Sequence, residues 1–264
     1  MPITVLSSSD NKLDLVVEGY PLALVNAVRR ATILYTPMMA VDEVYIIENN
    51  SVLYDEILAH RLAMIPLVSE EAVGRYRRPE DCGEDETECS TKIYLTGKAD
   101  SETGSIWVYS REIKSDDPTV KPVSDNIPIV LLAPGQTISL EAKVKMGYGI
   151  EHAKYIPVSA SVVRYYPRVE VSEDCTKAAE VCPKHVFEVD SGKVRVANEI
   201  ACILCEECVN VCGDKVKIAS VEDKYIFEIE SVGVMRPKTI LREAVKSLRR
   251  KVEEFEKKIE VLSS

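Results

Sequence analysis

The stretch Cys202-Ile-Leu-Cys205-Glu-Glu-Cys208-Val-Asn-Val-Cys212 decides how the chain around it must fold. Its spacing is C-x2-C-x2-C-x3-C, and Cys182-Pro183 lies upstream of it. Six of the eight cysteines fall between Cys175 and Cys212, so they are concentrated in one region. Three cysteines in consecutive C-x2-C steps present their thiolates to one metal group. The stretch therefore predicts a metal centre. Such a centre could be an iron–sulfur cluster or a zinc ion, because four thiolates suit both.

The same spacing resembles that of bacterial-type ferredoxins, in which a remote Cys-Pro completes the ligand set. This resemblance implies a single iron–sulfur cluster of the 4Fe–4S type, with 3Fe–4S as the alternative, and no zinc. Its expected ligands are Cys182, Cys202, Cys205 and Cys208.

The second cluster of a two-cluster ferredoxin is expected to be absent. In the matching register the chain has Ser172, Cys175 and Ala178, so two of three ligands are missing. The ferredoxin fold would hold the leftover Cys175 and Cys212 near each other, close enough for a disulfide. A reducing cytosol argues against that bond, although the cytosol of hyperthermophiles is an exception.

The bulk composition is that of an ordinary globular chain. It has 264 residues, 46% hydrophobic and 29% charged. A net charge of −10 disfavours direct, sequence-specific binding of nucleic acid, because phosphate contacts need a basic surface. No apolar signal segment opens the chain, and the longest apolar run, from Ile127 to Ala133, is short and contains Pro128. We therefore expect no membrane partner and a cytoplasmic location.

Hydrophobic periodicity predicts strands that alternate with a few helices. A helix is expected between Pro21 and Pro37, another within Ser51–Leu67, and a third from Pro237 to the C-terminus. The predicted strands are 12–18, 41–48, 91–97, 105–110, 136–147, 155–166, 193–196 and 225–229.

Two features of the helices bear on function. Arg29 and Arg30 lie off the apolar stripe of the first helix, so they form either a solvated face or a contact surface. His60 lies next to Arg61, but a lone histidine without a nucleophile motif is more often structural, so we expect no catalytic residue.

The C-terminal helix carries a heptad seam. Its apolar residues step by four and three, and they are Leu241, Val245, Leu248, Val252, Phe255, Ile259 and Leu262. The first half is expected to pack on its own domain, whereas the far half needs a partner helix.

Four stretches carry a resemblance to a known family. They are Asn26–Arg30, Asp55–Leu67, Gly149–Pro157 and Phe227–Gly233. Together they resemble the RNA polymerase alpha-type subunits, and Ala59-His60-Arg61-Leu62 is the most characteristic part. A ferredoxin-like insert between the last two stretches makes the chain similar to the archaeal branch of that family, since the bacterial alpha subunit lacks one.

The resemblance implies a non-catalytic assembly subunit. It would pair with subunit L and then bind subunits N and P and the second-largest subunit, while the largest subunit holds the catalytic magnesium. A ferredoxin-like electron-transfer protein is the alternative. The expected partner contacts are Arg29, Arg30, His60, Arg61, Leu248, Val252, Phe255 and Ile259.

The resemblance also implies an α+β fold in interrupted segments. A dimerisation domain takes 1–40, 155–166 and 222–264, an insert domain 41–154, and the ferredoxin-like domain 167–221. In the insert, relatives in eukaryotes have a zinc loop with four cysteines where this chain keeps Cys82 and Cys89. A local disulfide or two free thiols is therefore expected at this place.

Overall fold

A computed structural model describes residues 3–83, 88–100, 104–172 and 174–263. The predicted α+β class is confirmed. The six helices in the described ranges are α1 Leu22–Leu34, α2 Asp55–Ala63, α3 Ala72–Arg75, α4 Lys177–Val181, α5 Glu207–Cys212 and α6 Pro237–Ser263. The strands of the same ranges are β1 Ile3–Ser8, β2 Lys12–Glu18, β3 Pro37–Asn49, β4 Ser90–Lys98, β5 Ile106–Tyr109, β6 Lys114–Ser115, β7 Pro128–Leu132, β8 Thr137–Tyr148, β9 Val158–Val171, β10 Phe187–Asp190, β11 Lys193–Val196 and β12 Val216–Ser231.

These described strands form four sheets. Their orders are β1-β2-β12-β9, β3-β8-β4-β6, β5-β7 and β10-β11. The β3–β8 ladder is antiparallel and shifts register twice, between Val41 and Glu43 and between Ile46 and Glu48. Such bulges add twist to a long strand pair, so this ladder can curl around its core.

The chain divides into two compact units. The larger unit consists of Ser8–Leu13, Ala27–Ser161 and Ile229–Ser264. The smaller unit takes the described residues within Met1–Ser7, Asp14–Asn26 and Val162–Glu228. These units do not follow the five predicted segments, and the predicted domain boundaries remain predictions.

The core of the larger unit is built on β8. Alternation along this strand turns every second side chain inward, and the buried set is Ile138, Leu140, Ala142, Val144 and Met146. Helix α2 covers this core with Leu58 and Leu62. Asp55 and Glu56 lie in its first turn and His60 and Arg61 in its last, an order that the helix dipole favours.

Helix α6 begins where the sequence places it. Pro237 is its first residue, and the carboxylate of Glu70 accepts hydrogen bonds from the Arg236 backbone amide at 2.7 Å and the Thr239 hydroxyl at 2.6 Å. A carboxylate at a helix N-terminus satisfies free amides and complements the dipole.

Gly149, in the stretch Gly149–Pro157, lies where the structure has no room for a side chain. A Cβ on Gly149 would collide with the backbone carbonyl oxygen of Ile33, so any side chain would push α1 away from this turn. Gly149 therefore permits a close approach of two backbones in the larger unit.

Several elements differ from the predicted ones, among them β3, which begins at Pro37, and β9, which runs from Val158 to Val171. The apolar run 127–133 contains strand β7, in which Pro128 is the first residue and therefore interrupts no ladder. Strand β12 begins at Val216, well before the predicted Tyr225. The prediction missed its first half because that half alternates weakly and is mostly exposed.

Candidate metal centre and partner-contact residues

The four predicted ligand cysteines are free thiols, and each lies in a different local structure. Cys182 follows the last residue of α4, and Cys208 lies within α5. Cys202 follows a 3-10 turn, Glu199–Ala201, and Cys205 lies in the loop before α5. Cys202 and Cys208 are buried, Cys182 is half-buried and Cys205 is exposed. The set thus lies at the edge of the smaller unit, between its core and solvent.

All four thiols line the same small cavity. Its other walls are mainly apolar and include Val186, Phe187 and Ile218. Soft thiolate donors within apolar walls suit an iron–sulfur group, which is shielded from water in such a place. The structure therefore brings the remote Cys182 to the three cysteines of the C-x2-C-x2-C run.

The pKa values of the two buried thiols are raised, in part because the other thiols of the cavity lie close to them. Burial raises the pKa of Cys202, and the neighbouring Cys182 and Cys205 thiols add to the rise. Burial also raises the pKa of Cys208, with Cys182 and Cys202 as further contributors. Each of the two buried thiols therefore feels the charge of two others.

Backbone amides point at these sulfurs. The Val186 amide donates to Cys182 Sγ over 3.4 Å, and the amides of Leu204 and Val209 stabilise the thiolates of Cys202 and Cys208. Amide donors of this kind favour the deprotonated sulfur that binds a metal.

The loop between the cysteines has an unusual backbone. Leu204 has a φ of 57° and Glu206 a φ of 60°. Both values lie in the left-handed region, which residues other than Gly and Asn rarely adopt. Arg164 supports the approach to this loop, because its Nη1 donates to the Ile200 carbonyl at 2.9 Å while its Nε contacts Glu228 at 2.9 Å. Strain of this kind clusters at ligand-holding sites.

The leftover cysteines of the half-motif are paired. A disulfide joins Cys175, just before α4, to Cys212 at the end of α5, with their Cα atoms 6.1 Å apart. Next to it, Lys215 and Asp174 form an ion pair. The cross-link ties together the two short helices that carry Cys182 and Cys208.

The residues thus fit an iron–sulfur group by type, exposure and shared lining. Within residues 3–83, 88–100, 104–172 and 174–263, no three Cys, His, Asp or Glu side chains already stand at metal-holding spacing. The fit consequently concerns the donor set and its surroundings rather than a finished coordination geometry.

Two of the four predicted contact residues on α1 and α2 make hydrogen bonds within the larger unit. Arg29 is half-buried and its Nη1 donates to the Ser161 carbonyl at 3.4 Å, whereas Arg30 is exposed. His60 is exposed, and Arg61 Nη2 donates to the Pro128 carbonyl at 2.9 Å. Arg30 and His60 therefore remain the more accessible members of the set.

The seam of α6 faces outward along much of the helix. The buried face of its first half is formed by Ile240, Glu243, Ala244 and Ser247, which neighbour the seam. On the seam, Leu248 is half-buried, while Val252 is 51% exposed, Phe255 63% and Ile259 48%. The far half therefore presents an apolar stripe to solvent.

A polar network on α6 was not found from the sequence. Arg78 contacts Glu243 at 2.8 Å, and Arg250 forms two hydrogen bonds with Asp81 at 3.0 and 2.7 Å. These partners lie 165 and 169 positions apart, so no local spacing could have paired them.

Proteins with known names share the sequence along nearly its full length. "DNA-directed RNA polymerase subunit Rpo3" of Archaeoglobus fulgidus is 38% identical over 264 residues, covering 98% of this chain and 97% of its own. The protein of the same name from Methanothermobacter thermautotrophicus is 36% identical over 262 residues, or 96% and 97% of the two chains. The chain belongs to the archaeal RNA polymerase subunit Rpo3 family. Members of this Rpo3 family are the alpha-type subunits that the sequence motifs indicated, so this chain is a subunit of DNA-directed RNA polymerase.

The Rpo3 family extends in similarity to eukaryotes. The "DNA-directed RNA polymerases I and III subunit rpac1" of Dictyostelium discoideum is 35% identical over 267 residues, covering 92% of this chain and 77% of that one. A family profile, the RNA polymerase Rpb3/RpoA insert domain, matches residues 44–162. Among the described helices of this Rpo3-family chain, none is long and apolar enough to cross a membrane.

Proposed function

We propose that this Rpo3-family chain is a non-catalytic assembly scaffold of the cytoplasmic RNA polymerase. It pairs with subunit L through α6, and the pair then binds subunits N and P and the second-largest subunit. The exposed seam of α6 carries this proposal, since Val252, Phe255 and Ile259 are each about half exposed or more.

The size of the seam supports a helical partner. Covering a large apolar side chain contributes about 1.5–3 kcal/mol when burial is complete. Phe255 and Ile259 lie one turn apart on the same face, at the spacing of d and a positions in a heptad. A partner helix with its own apolar seam would cover both at once.

Co-expression with an archaeal subunit L tests the pairing. The double variant Phe255→Glu/Ile259→Glu should weaken the heterodimer on the order of a hundredfold, because two seam contacts become desolvated charges. Size-exclusion chromatography at a series of concentrations measures the effect.

The matched control is Val261→Glu, which puts the same replacement on an exposed residue off the seam. We expect this variant to pair like the wild type. Normal pairing of the Phe255→Glu/Ile259→Glu chain would show that the seam is not the contact surface.

We infer that Cys182, Cys202, Cys205 and Cys208 hold one iron–sulfur cluster of the 4Fe–4S type. Their common cavity and the amides aimed at their sulfurs support this assignment. When bound, the cluster supplies a four-point cross-link among α4, α5 and the loop before α5, so its role is structural or regulates assembly. The chain's own part is to place the thiols, shield two of them and donate hydrogen bonds to the sulfurs.

Iron and sulfide analysis of chain purified without oxygen tests the cluster. The wild type should contain about four irons per chain, and Cys202→Ser/Cys205→Ser close to none. Cys175→Ser/Cys212→Ser removes the same number of cysteines outside the ligand set and should keep its iron. Zinc in place of iron in the wild type would contradict the assignment.

A separate measurement distinguishes a structural cluster from an electron carrier. Chelation of the iron should open the smaller unit to proteases, whereas reduction and reoxidation of the intact cluster should leave that unit protected. The opposite result would favour the electron-transfer alternative.

A further inference from the structure

We propose that the Cys82–Cys89 disulfide is a redox-sensitive latch that sets the stability of the outer half of α6. The bond fixes a short segment, Arg77–Cys82, and this segment grips α6 through ion pairs. Reduction of the bond would loosen the grip and make the end of α6 more dynamic.

The disulfide closes the segment from one side. Cys82 and Cys89 are bonded with their Cα atoms 6.1 Å apart and seven positions apart in sequence. The same closure is repeated next to the bond, where the Arg77 amide donates to the Glu88 carbonyl at 3.1 Å and the two side chains pair at 2.6 Å. A cross-link of this kind restricts the backbone dihedrals on both flanks.

Arg78 makes the inner grip on α6. Its guanidinium contacts Glu243 at 2.8 Å and donates to the Ser247 hydroxyl at 2.9 Å. The side chains of Arg78 and Glu243 are only 18% and 6% exposed, so water screens this pair weakly. Cys82 Sγ lies 3.3 Å from the Arg78 carbonyl oxygen, which places the disulfide directly against the gripping residue.

Asp81 and Glu80 make the outer grip. Both lie in the 3-10 turn Pro79–Asp81, and both contact Arg250, Asp81 through two hydrogen bonds and Glu80 at 3.2 Å. Glu80 is held in turn by the Tyr148 hydroxyl at 2.9 Å, which fixes it to the end of β8. The hydrogen bond from Arg250 lowers the pKa of Asp81, which shows that the pairing favours the ionised carboxylate.

The contacts of Arg250 with Asp81 and Glu80 lie near the middle of α6, just before its exposed half. Arg250 is half-buried, and residues 251–261 of α6 are all exposed. One turn of contact continues past the grip, where Lys251 Nζ lies 4.3 Å from the centre of the Tyr35 ring. Loss of order at Arg77–Cys82 would be felt first by this exposed half, because exposed helix ends open more easily than buried ones.

The chemical step is a thiol–disulfide exchange with a dithiol reductant. A thiolate of the reductant attacks one sulfur, the Cys82–Cys89 bond breaks, and the reductant closes to its own disulfide as two thiols form here. Two electrons pass from the dithiol to this bond. Cys82 is half-buried and Cys89 is buried, so the sulfur of Cys82 is the accessible point of attack.

Amide hydrogen exchange on the full chain, monitored by mass spectrometry, tests the latch. In Cys82→Ser/Cys89→Ser, amides of residues 250–261 should exchange about three- to tenfold faster, the range expected when one or two partly exposed ion pairs lose their support. Asp81→Asn should accelerate the same amides, and combining it with the cysteine changes should add little, because both act on one device.

Two controls keep the test specific. Cys175→Ser/Cys212→Ser removes the other disulfide and should leave α6 exchange unchanged, while a dithiol added to that variant should reproduce the acceleration. Amides of β8 are the internal reference, because a general loss of stability would accelerate them as well. Wild-type exchange at 250–261 in Cys82→Ser/Cys89→Ser, or acceleration of β8 to the same degree, would overturn the proposal.

Discussion

The two units of this chain are stabilised by different means. The described core of the larger unit is a cluster of 20 buried residues, and each of them is Val, Leu, Ile, Met or Ala. In the smaller unit, the cluster around the cysteines has nine buried residues, three of which are Cys175, Cys202 and Cys208, while buried residues such as Val17 and Phe227 lie outside it. The cysteine-rich part of the smaller unit thus combines hydrocarbon packing with cross-linking through sulfur.

The difference follows from the surface-to-volume ratio of a small unit. A short segment cannot bury enough apolar area to offset the entropy of ordering its backbone. Cross-links lower that entropy cost, and metal ligation adds binding free energy directly. The larger unit needs neither at its centre, and its Cys82–Cys89 disulfide lies in a peripheral loop.

The largest expected effect comes from removing cluster ligands. In Cys202→Ser/Cys205→Ser, the smaller unit should lose on the order of several kcal/mol of stability and become open to proteases between residues 174 and 216. The larger unit should remain folded because its described core contains none of the four ligands. Limited proteolysis followed by mass spectrometry measures which unit is cleaved. Equal cleavage of both units would show that the larger unit also depends on the cluster.

A cavity in the larger unit should have an intermediate effect. Leu140 is 2% exposed at the centre of β8, so Leu140→Ala should lower the free energy of unfolding by about 3 kcal/mol. Leu131→Ala is the matched control, since Leu131 is 40% exposed and should cost less than about 1 kcal/mol. Urea unfolding followed by tryptophan fluorescence at Trp107 compares the two variants. Equal losses would show that the core is not the main support.

The smallest expected effect is electrostatic and depends on pH. Burial acts to raise the pKa of Asp42, but hydrogen bonds and charge from Lys145 and Lys154 outweigh it and hold the pKa at about 2, below the ordinary 3.8. The ion pair therefore stabilises the fold above about pH 4, and this contribution is lost as the pH falls through about 2.

Asp42→Asn should remove that pH-dependent contribution, which is no more than about 1 kcal/mol for a partly exposed pair. Acid titration of unfolding free energies should give a shallower loss between pH 4 and 2 than in the wild type. Asp10→Asn, a change in an exposed loop, should keep the wild-type slope. An unchanged slope in Asp42→Asn would mean that other carboxylates control acid unfolding.

Local pattern predicted the parts of the fold in which local forces dominate. The strand over 12–18 and the strand over 193–196 have the predicted bounds, and α6 begins at the predicted Pro237. In each case alternation or a helix-starting residue is contained within a few positions. The bounds of β12 were wrong at one end because its first half follows no clear alternation.

Long-range polar pairing lay outside what the sequence could show. The clustering of four thiols was expected from the spacing of three cysteines and the resemblance to ferredoxins, but the contacts of Arg78 and Arg250 with partners more than 160 positions away were not. Charged residues are common on surfaces, so nothing local distinguishes these from solvated ones. The face of α6 that is buried, with Ile240 and Ala244, also lay beside the predicted seam rather than on it.

The exposed apolar stripe on α6 affects how much of this subunit a cell can usefully make. A chain made in excess of its partners would carry Val252, Phe255 and Ile259 uncovered, and exposed apolar stripes invite self-association and recognition by chaperones or proteases. Cells would therefore gain from matching the translation of this subunit to that of its partners. Recombinant production faces the same condition, and we expect higher soluble yield when a partner is made in the same cell.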